Sequence, residues 1–107
     1  MRILICDDIR SDAENIKFNV KKFFINKKVD ISICTPHDVM LQLDEDLFQY
    51  DIAILDIYYK ACKFNGIDLA HIINDKSIAC RIIFVSNNIN YALSVYETVL
   101  LFLKEAG

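Results

Sequence analysis

Five residues of this chain could do chemistry. Asp7 and Asp8 stand side by side at the end of the apolar run "RILIC", and Asp56 ends the run "DIAIL". Ser86 closes "RIIFV" and Lys104 closes "VLLFL". Adjacent carboxylates repel and resist dehydration. Two unit charges about 4 Å apart cost roughly 4 kcal/mol at an effective dielectric of about 20. Three carboxylates brought together therefore need protons or a divalent cation, and an all-oxygen set open to water suits Mg²⁺. A hydroxyl and an ammonium beside such a centre are what a phosphoryl group needs: cations for its oxygens and a donor to hold one of them. Asp56 is the best placed nucleophile, an aspartyl phosphate being a known covalent form of a carboxylate.

These residues act together only if the fold gathers them. "ILIC" (3–6) is a short, continuous apolar run, as in a strand covered on both faces. Ser11 and Glu14 form a capping box, predicting a helix from Ser11 with Ile16, Val20, Phe23 and Phe24 toward a sheet. "VDISICT" (29–35) alternates like a half-buried edge strand. Thr35 before Pro36 reads as an N-cap, opening a helix through Val39, Leu43 and Leu47. A second apolar strand (51–56) precedes a loop and a helix holding Ile67, Leu69, Ala70, Ile72 and Ile73. A strand over 81–86, a helix over 90–97 and a strand over 99–104 complete the pattern.

Strands alternating with helices imply right-handed β-α-β units and a parallel sheet. The amphipathic second strand belongs at an edge and the first inside, giving order 2-1-3-4-5 in a flavodoxin-like, doubly wound α/β fold. Ligands of such sheets bind beyond the carboxyl ends of the strands, near the switch point between strands 1 and 3. Asp7, Asp8, Asp56, Ser86 and Lys104 all fall on that edge. Singly, each is only an acid in a loop, a helix cap or a solvated chain end; the pattern lies in their convergence.

Composition removes other classes. The chain has 107 residues, 54% of them hydrophobic, with 2 Gly and 1 Pro, so it is read as one domain (1–107) with material for one core. A net charge of −3 gives no reason to expect direct nucleic-acid binding. Lys21, Lys22, Lys27 and Lys28 around "FFIN" read as a solvated helix end. No run is long enough to span a bilayer, so a cytoplasmic protein with no membrane partner is expected. Cys6, Cys34, Cys62 and Cys80 show no C-x-x-C pair, and His37 and His71 read as helix-surface residues. Cysteine and histidine chemistry is the weaker reading.

With "ILICDD", "DIAILDI", "NGIDLA", "IIFVS" and Lys104 in place, the chain resembles the receiver domain of bacterial two-component response regulators over nearly its whole length. "IIFVSNNINYALSVYE" is most similar to receivers of LytTR-type regulators. The resemblance implies a CheY-like fold that is a phosphoacceptor switch rather than an enzyme with a separate substrate. Asp56 would accept the phosphoryl group from a sensor histidine kinase. Asp8 would bind Mg²⁺ directly, with Asp7 acting mainly through water and the backbone carbonyl of Tyr58 joining them. Ser86 and Lys104 would follow the phosphate, and Phe102 is the nearest candidate for an aromatic switch residue.

The sequence departs from that family in three places. Its loop between Asp56 and Gly66 is longer and lacks proline, and the segment from Ser86 to Lys104 is shorter, with Glu105 where proline usually stands. The chain also ends where a fifth helix would begin, so it reads as C-terminally truncated, with a homodimer as one way to cover "VLLFL". An output domain, the carrier of any DNA binding and transcription control, would lie beyond. The alternative function is a receiver-like docking or dimerisation module that takes no phosphate.

Overall fold

The opening apolar run forms strand β1, Arg2–Cys6, in a computed structural model that describes residues 1–76 and 78–85. Then follow helix α1 (Arg10–Phe23), strand β2 (Asp30–Cys34), helix α2 (Pro36–Asp44), strand β3 (Ile52–Asp56), helix α3 (Gly66–Asp75) and strand β4 (Arg81–Val85). Ser86, the helix expected over 90–97, and the strand expected over 99–104 with Phe102 and Lys104 lie outside the described residues.

The described strands form one parallel sheet in the order β2-β1-β3-β4. This is the expected order for the strands it contains. β1 is interior, with four of its five residues buried, whereas no residue of β2 is fully buried, as an edge requires. Alternation along β1 and β3 builds two cores, because successive side chains of a strand point to opposite faces. Leu4, Cys6, Ala53 and Leu55 pack on one face with Val39 and Leu43 of α2 and Leu69, Ala70 and Ile73 of α3. Ile3, Ile5 and Ile54 pack on the other with Ala13 of α1. Burying each large side chain stabilises by about 1.5–3 kcal/mol, so the sheet is fixed from both sides.

Helix boundaries follow local chemistry. Thr35 Oγ1 accepts the Asp38 N–H at 3.2 Å with Pro36 in the first turn, as its sequence indicates. Asn65 and Asp68 form a reciprocal capping box at the start of α3, each side chain accepting the other's backbone N–H at 2.9 Å. At α1 the expected cap, Ser11, is two residues late: Ile9 is the N-cap and no side chain caps the helix. The carboxylate of Asp7 takes the Ile9 N–H instead, which turns the chain earlier than Ser11. Phe23, expected to face the sheet, is 81% exposed, and Phe24 is the partly buried residue against the core. α2 stops at Asp44, short of Leu47, which is exposed. Asp46, with φ 57°, breaks the helix in a left-handed conformation that aspartate tolerates.

Candidate metal centre

β1 and β3 are neighbours with Cys6 opposite Leu55, so the residues that follow them emerge side by side. That register brings Asp7 and Asp8 to Asp56. One carboxylate oxygen from each lies within 4.8 Å of the others, and this is the one such acidic group among the described residues.

The three acids are held differently. Asp7 is only 5% exposed; its Oδ1 accepts the Ile9 N–H at 2.9 Å and its own N–H donates to the Cys34 carbonyl at 3.3 Å. Asp8 Oδ2 accepts the Lys60 N–H at 2.6 Å, while its Oδ1 is buried without a hydrogen-bond partner. Asp56 accepts the backbone N–H groups of Tyr58 and Ile57. Burial pushes the Asp7 carboxyl up to about 6; the Ile9 N–H tempers this and the charge of Asp56 adds to it. Burial likewise raises the Asp56 carboxyl, the Tyr58 and Ile57 N–H groups oppose the rise, and the charge of Asp8 reinforces it. Loss of water and nearby negative charge thus make Asp7 and Asp56 reluctant to ionise.

The loop between β3 and α3 forms the near wall. Gly66 N–H returns to the Ile57 carbonyl at 2.9 Å, closing the loop at its base. A methyl group at Gly66 would overlap the Asp56 carbonyl oxygen, so only glycine lets α3 start against the strand end. Tyr59 is buried beneath the loop and its hydroxyl donates to Cys6 Sγ at 3.4 Å. Burial pushes the Cys6 thiol up to about 12, so no thiolate competes with the carboxylates beside it. Tyr58, half-exposed, sits on the rim of the site.

The donor set fits Mg²⁺. It is all oxygen, its atoms are close enough to share one ion, and the orphaned Asp8 Oδ1 is a buried acceptor that a cation would satisfy. The structure brings together the carboxylates of Asp7, Asp8 and Asp56; Ser86 and Lys104 lie outside the described residues. Two features had no signal in the sequence. One is the Lys60 N–H on Asp8, and the other is Cys62 Sγ lying 3.6 Å from His37 Nε2 of α2. Both depend on the path of a loop that meets residues distant along the chain.

No family model matches this sequence, and none of the curated proteins does. Solved structures do. A yeast Spc42 trimeric coiled-coil fusion (residues 181–211 of Spc42) superposes with a TM-score of 0.64 at 18% identity, over 81% of this chain and about half, 54%, of that one. The MaeR response regulator bound to beryllium trifluoride gives 0.64 at 21% identity, over 90% of this chain and 76% of that one. The receiver domain of Francisella response regulator 1452 gives 0.58 at 19% identity, over 91% and 76%. Parallel order, helix placement and these neighbours agree: the chain has the CheY-like fold of response regulator receiver domains.

Proposed function

We propose that this domain is the phosphoacceptor switch of a two-component response regulator, with Asp56 as the residue phosphorylated by a sensor histidine kinase. The observation that carries the reading is the meeting of Asp7, Asp8 and Asp56 at the carboxyl ends of β1 and β3, with one buried oxygen of Asp8 unsatisfied. The beryllium trifluoride on MaeR supports it, as a phosphoryl mimic held by a protein of the same fold.

Asp8 and Asp56 would hold Mg²⁺ directly, with Asp7 behind them and the Tyr58 carbonyl completing the protein's share. When bound, the cation neutralises the phosphoryl oxygens and the acids that surround them. The chain does the rest. The Tyr58 and Ile57 N–H groups aim the Asp56 carboxylate. One oxygen of that carboxylate attacks phosphorus, a P–O bond forms, and the P–N bond to the donor imidazole breaks. Lys60 N–H fixes Asp8, and Gly66 keeps the loop clear of Asp56. Ser86 and Lys104 take the hydroxyl and cation roles that the family resemblance gives them. The domain catalyses its own phosphorylation and acts on no separate substrate. Its output would be a change in partner contacts, transcriptional where a LytTR-type effector follows.

Incubation with a small phosphodonor and Mg²⁺ tests this. One acid-stable, base-labile phosphoryl group is expected in the parent and none in Asp56→Asn. Label that persists in Asp56→Asn places the nucleophile elsewhere, and a parent that never labels supports the docking-module alternative.

A further inference from the structure

The charge of this chain is unevenly spread. Residues 17–28 hold five of its 12 lysines and arginines and none of its 15 acids, which leaves seven basic residues against 15 acidic ones elsewhere. Lys21 and Lys22, in the last turn of α1, complement the helix dipole, which accounts for those two alone. Lys27 and Lys28 follow just after the helix, and all four are exposed. Three large apolar side chains stand in water among them: Phe18 is 59% exposed, Phe23 81% and Ile25 79%. Each is held there. Phe18 is two residues from both Ile16 and Val20 of the core stripe, so it points away from the sheet, with Lys22 Nζ 4.3 Å from its ring centre. Phe24 packs against the core and stands edge-on to Phe23, 4.9 Å between centroids, which leaves Phe23 outside. Lys27 N–H donates to the Phe24 carbonyl at 3.0 Å, a turn with Ile25 and Asn26 at its tip. A solvated helix end explains the lysines but not the apolar residues set between them.

We propose that this end of the domain docks on an anionic lipid surface, the lysines on headgroup phosphates and Phe18, Phe23 and Ile25 in the headgroup boundary. Clustered lysines draw a protein to anionic lipid, and apolar side chains among them enter the interface. The shape favours lipid over an acidic peptide. A peptide needs a groove or a strand edge, whereas the outer face of a helix and the tip of a turn meet a plane. The acids of the chain do not oppose such docking. Glu14 is paired with Arg10 at 3.0 Å, and Asp44, Glu45 and Asp46 end α2 on the other face of the sheet. Asp7 and Asp8 precede the start of α1, and its 14 residues carry the chain about 20 Å from them. Docked by its far end, the domain keeps the acidic centre away from the anionic surface and open to solution.

Cosedimentation of the whole chain with vesicles tests this, using phosphatidylcholine alone and phosphatidylcholine mixed equally with phosphatidylglycerol. At about 0.1 M salt the parent should pellet with the mixed vesicles and stay in solution with the neutral ones. A lysine near an anionic surface changes partitioning about fivefold. Lys21→Glu, Lys22→Glu, Lys27→Glu and Lys28→Glu combined should therefore weaken binding at least about a hundredfold, and Phe18→Ser with Ile25→Ser about tenfold. All six side chains are exposed, and far-UV circular dichroism checks that the variants fold. Asp56→Asn should bind vesicles like the parent, which separates this surface from the phosphoacceptor reading. No pelleting of the parent, equal pelleting with neutral vesicles, or undiminished pelleting of either surface variant overturns the proposal. Capture of the parent by immobilised polyglutamate, without vesicle binding, also overturns it and assigns the surface to an acidic protein.

Discussion

β3 is bracketed by two aspartates, and the molecule uses them in opposite ways. Asp51, before the strand, is tied to backbone at three points: its Oδ2 accepts the Arg2 N–H at 2.7 Å, its N–H donates to the Arg2 carbonyl at 2.8 Å, and its carbonyl accepts the Arg81 N–H at 2.9 Å. It stitches β1, β3 and β4 together at their amino ends. Asp56, after the same strand, also receives backbone N–H groups, but its neighbours are Asp7 and Asp8. One residue type therefore does two jobs. Where the surroundings supply donors, an aspartate at a strand end is structural; where they supply more carboxylates, it is left needing a proton or a cation.

The largest contrast is chemical. With Mg²⁺ and beryllofluoride, Asp51→Asn should bind the phosphoryl mimic like the parent and Asp56→Asn should not bind it at all, read by intrinsic tyrosine fluorescence or by calorimetry. Equal binding by the two variants would erase the distinction drawn here. Next comes the metal itself. Asp8→Ala removes the oxygen that has no other partner and should weaken Mg²⁺ at least tenfold, more than Asp7→Ala, whose carboxylate is already engaged with Ile9. A weaker loss in Asp8→Ala than in Asp7→Ala would reverse their roles.

Stability separates the two ends more finely. Burial holds the folded Asp7 carboxyl up near 6, above its value of about 3.9 in an unfolded chain. A carboxyl raised by folding binds its proton more tightly when folded, so its ionisation opposes folding. The penalty is absent below about pH 4, grows as pH rises to about 6 and is constant above, reaching at most about 3 kcal/mol. Without metal, Asp7→Asn should therefore be more stable than the parent at about pH 7, by roughly 1–3 kcal/mol, and no more stable at about pH 4. Denaturant unfolding at the two pH values checks both sign and window, and saturating Mg²⁺ should narrow the gap by favouring the parent. The smallest effect belongs to Asp51. Asp51→Ala loses one exposed hydrogen bond and should cost about 0.5–1.5 kcal/mol at neutral pH, with Mg²⁺ affinity unchanged.

Much of this was legible in the chain. The apolar runs before Asp7 and Asp56 are short and unbroken because β1 and β3 are covered on both faces, and "VDISIC" alternates because Val29, Ile31 and Ile33 pack on the α1 side while Asp30 and Ser32 fall on the other face of an edge strand. Thr35-Pro36 marks a helix start because a hydroxyl acceptor and a fixed φ suffice to make one. Ser11 misled because a competing acceptor, the Asp7 carboxylate, reached Ile9 first. Phe23 misled because helical spacing fixes a stripe while the end of a helix overhangs its sheet; the ring that lands inward is Phe24. The Asn65–Asp68 box is a local signal that went unread.

Sequence alone determined which residues could be strands, which face each would bury and which acids would stand at strand ends, because these follow from periodicities within a few residues. It also set the order of β1 to β4, since amphipathicity separates an edge strand from an interior one. Tertiary structure decided the rest. The pairing of Cys6 with Leu55 brings Asp56 to the adjacent Asp7 and Asp8, and no local pattern encodes a distance across strands. Likewise, the choice of Asp8 as the acid with a free buried oxygen, the fit of Gly66 against the Asp56 carbonyl, and the meeting of Cys62 with His37 depend on where a loop returns after passing Tyr59. Long-range packing sets that path, because the loop settles where one buried ring and a few backbone hydrogen bonds outweigh its conformational freedom.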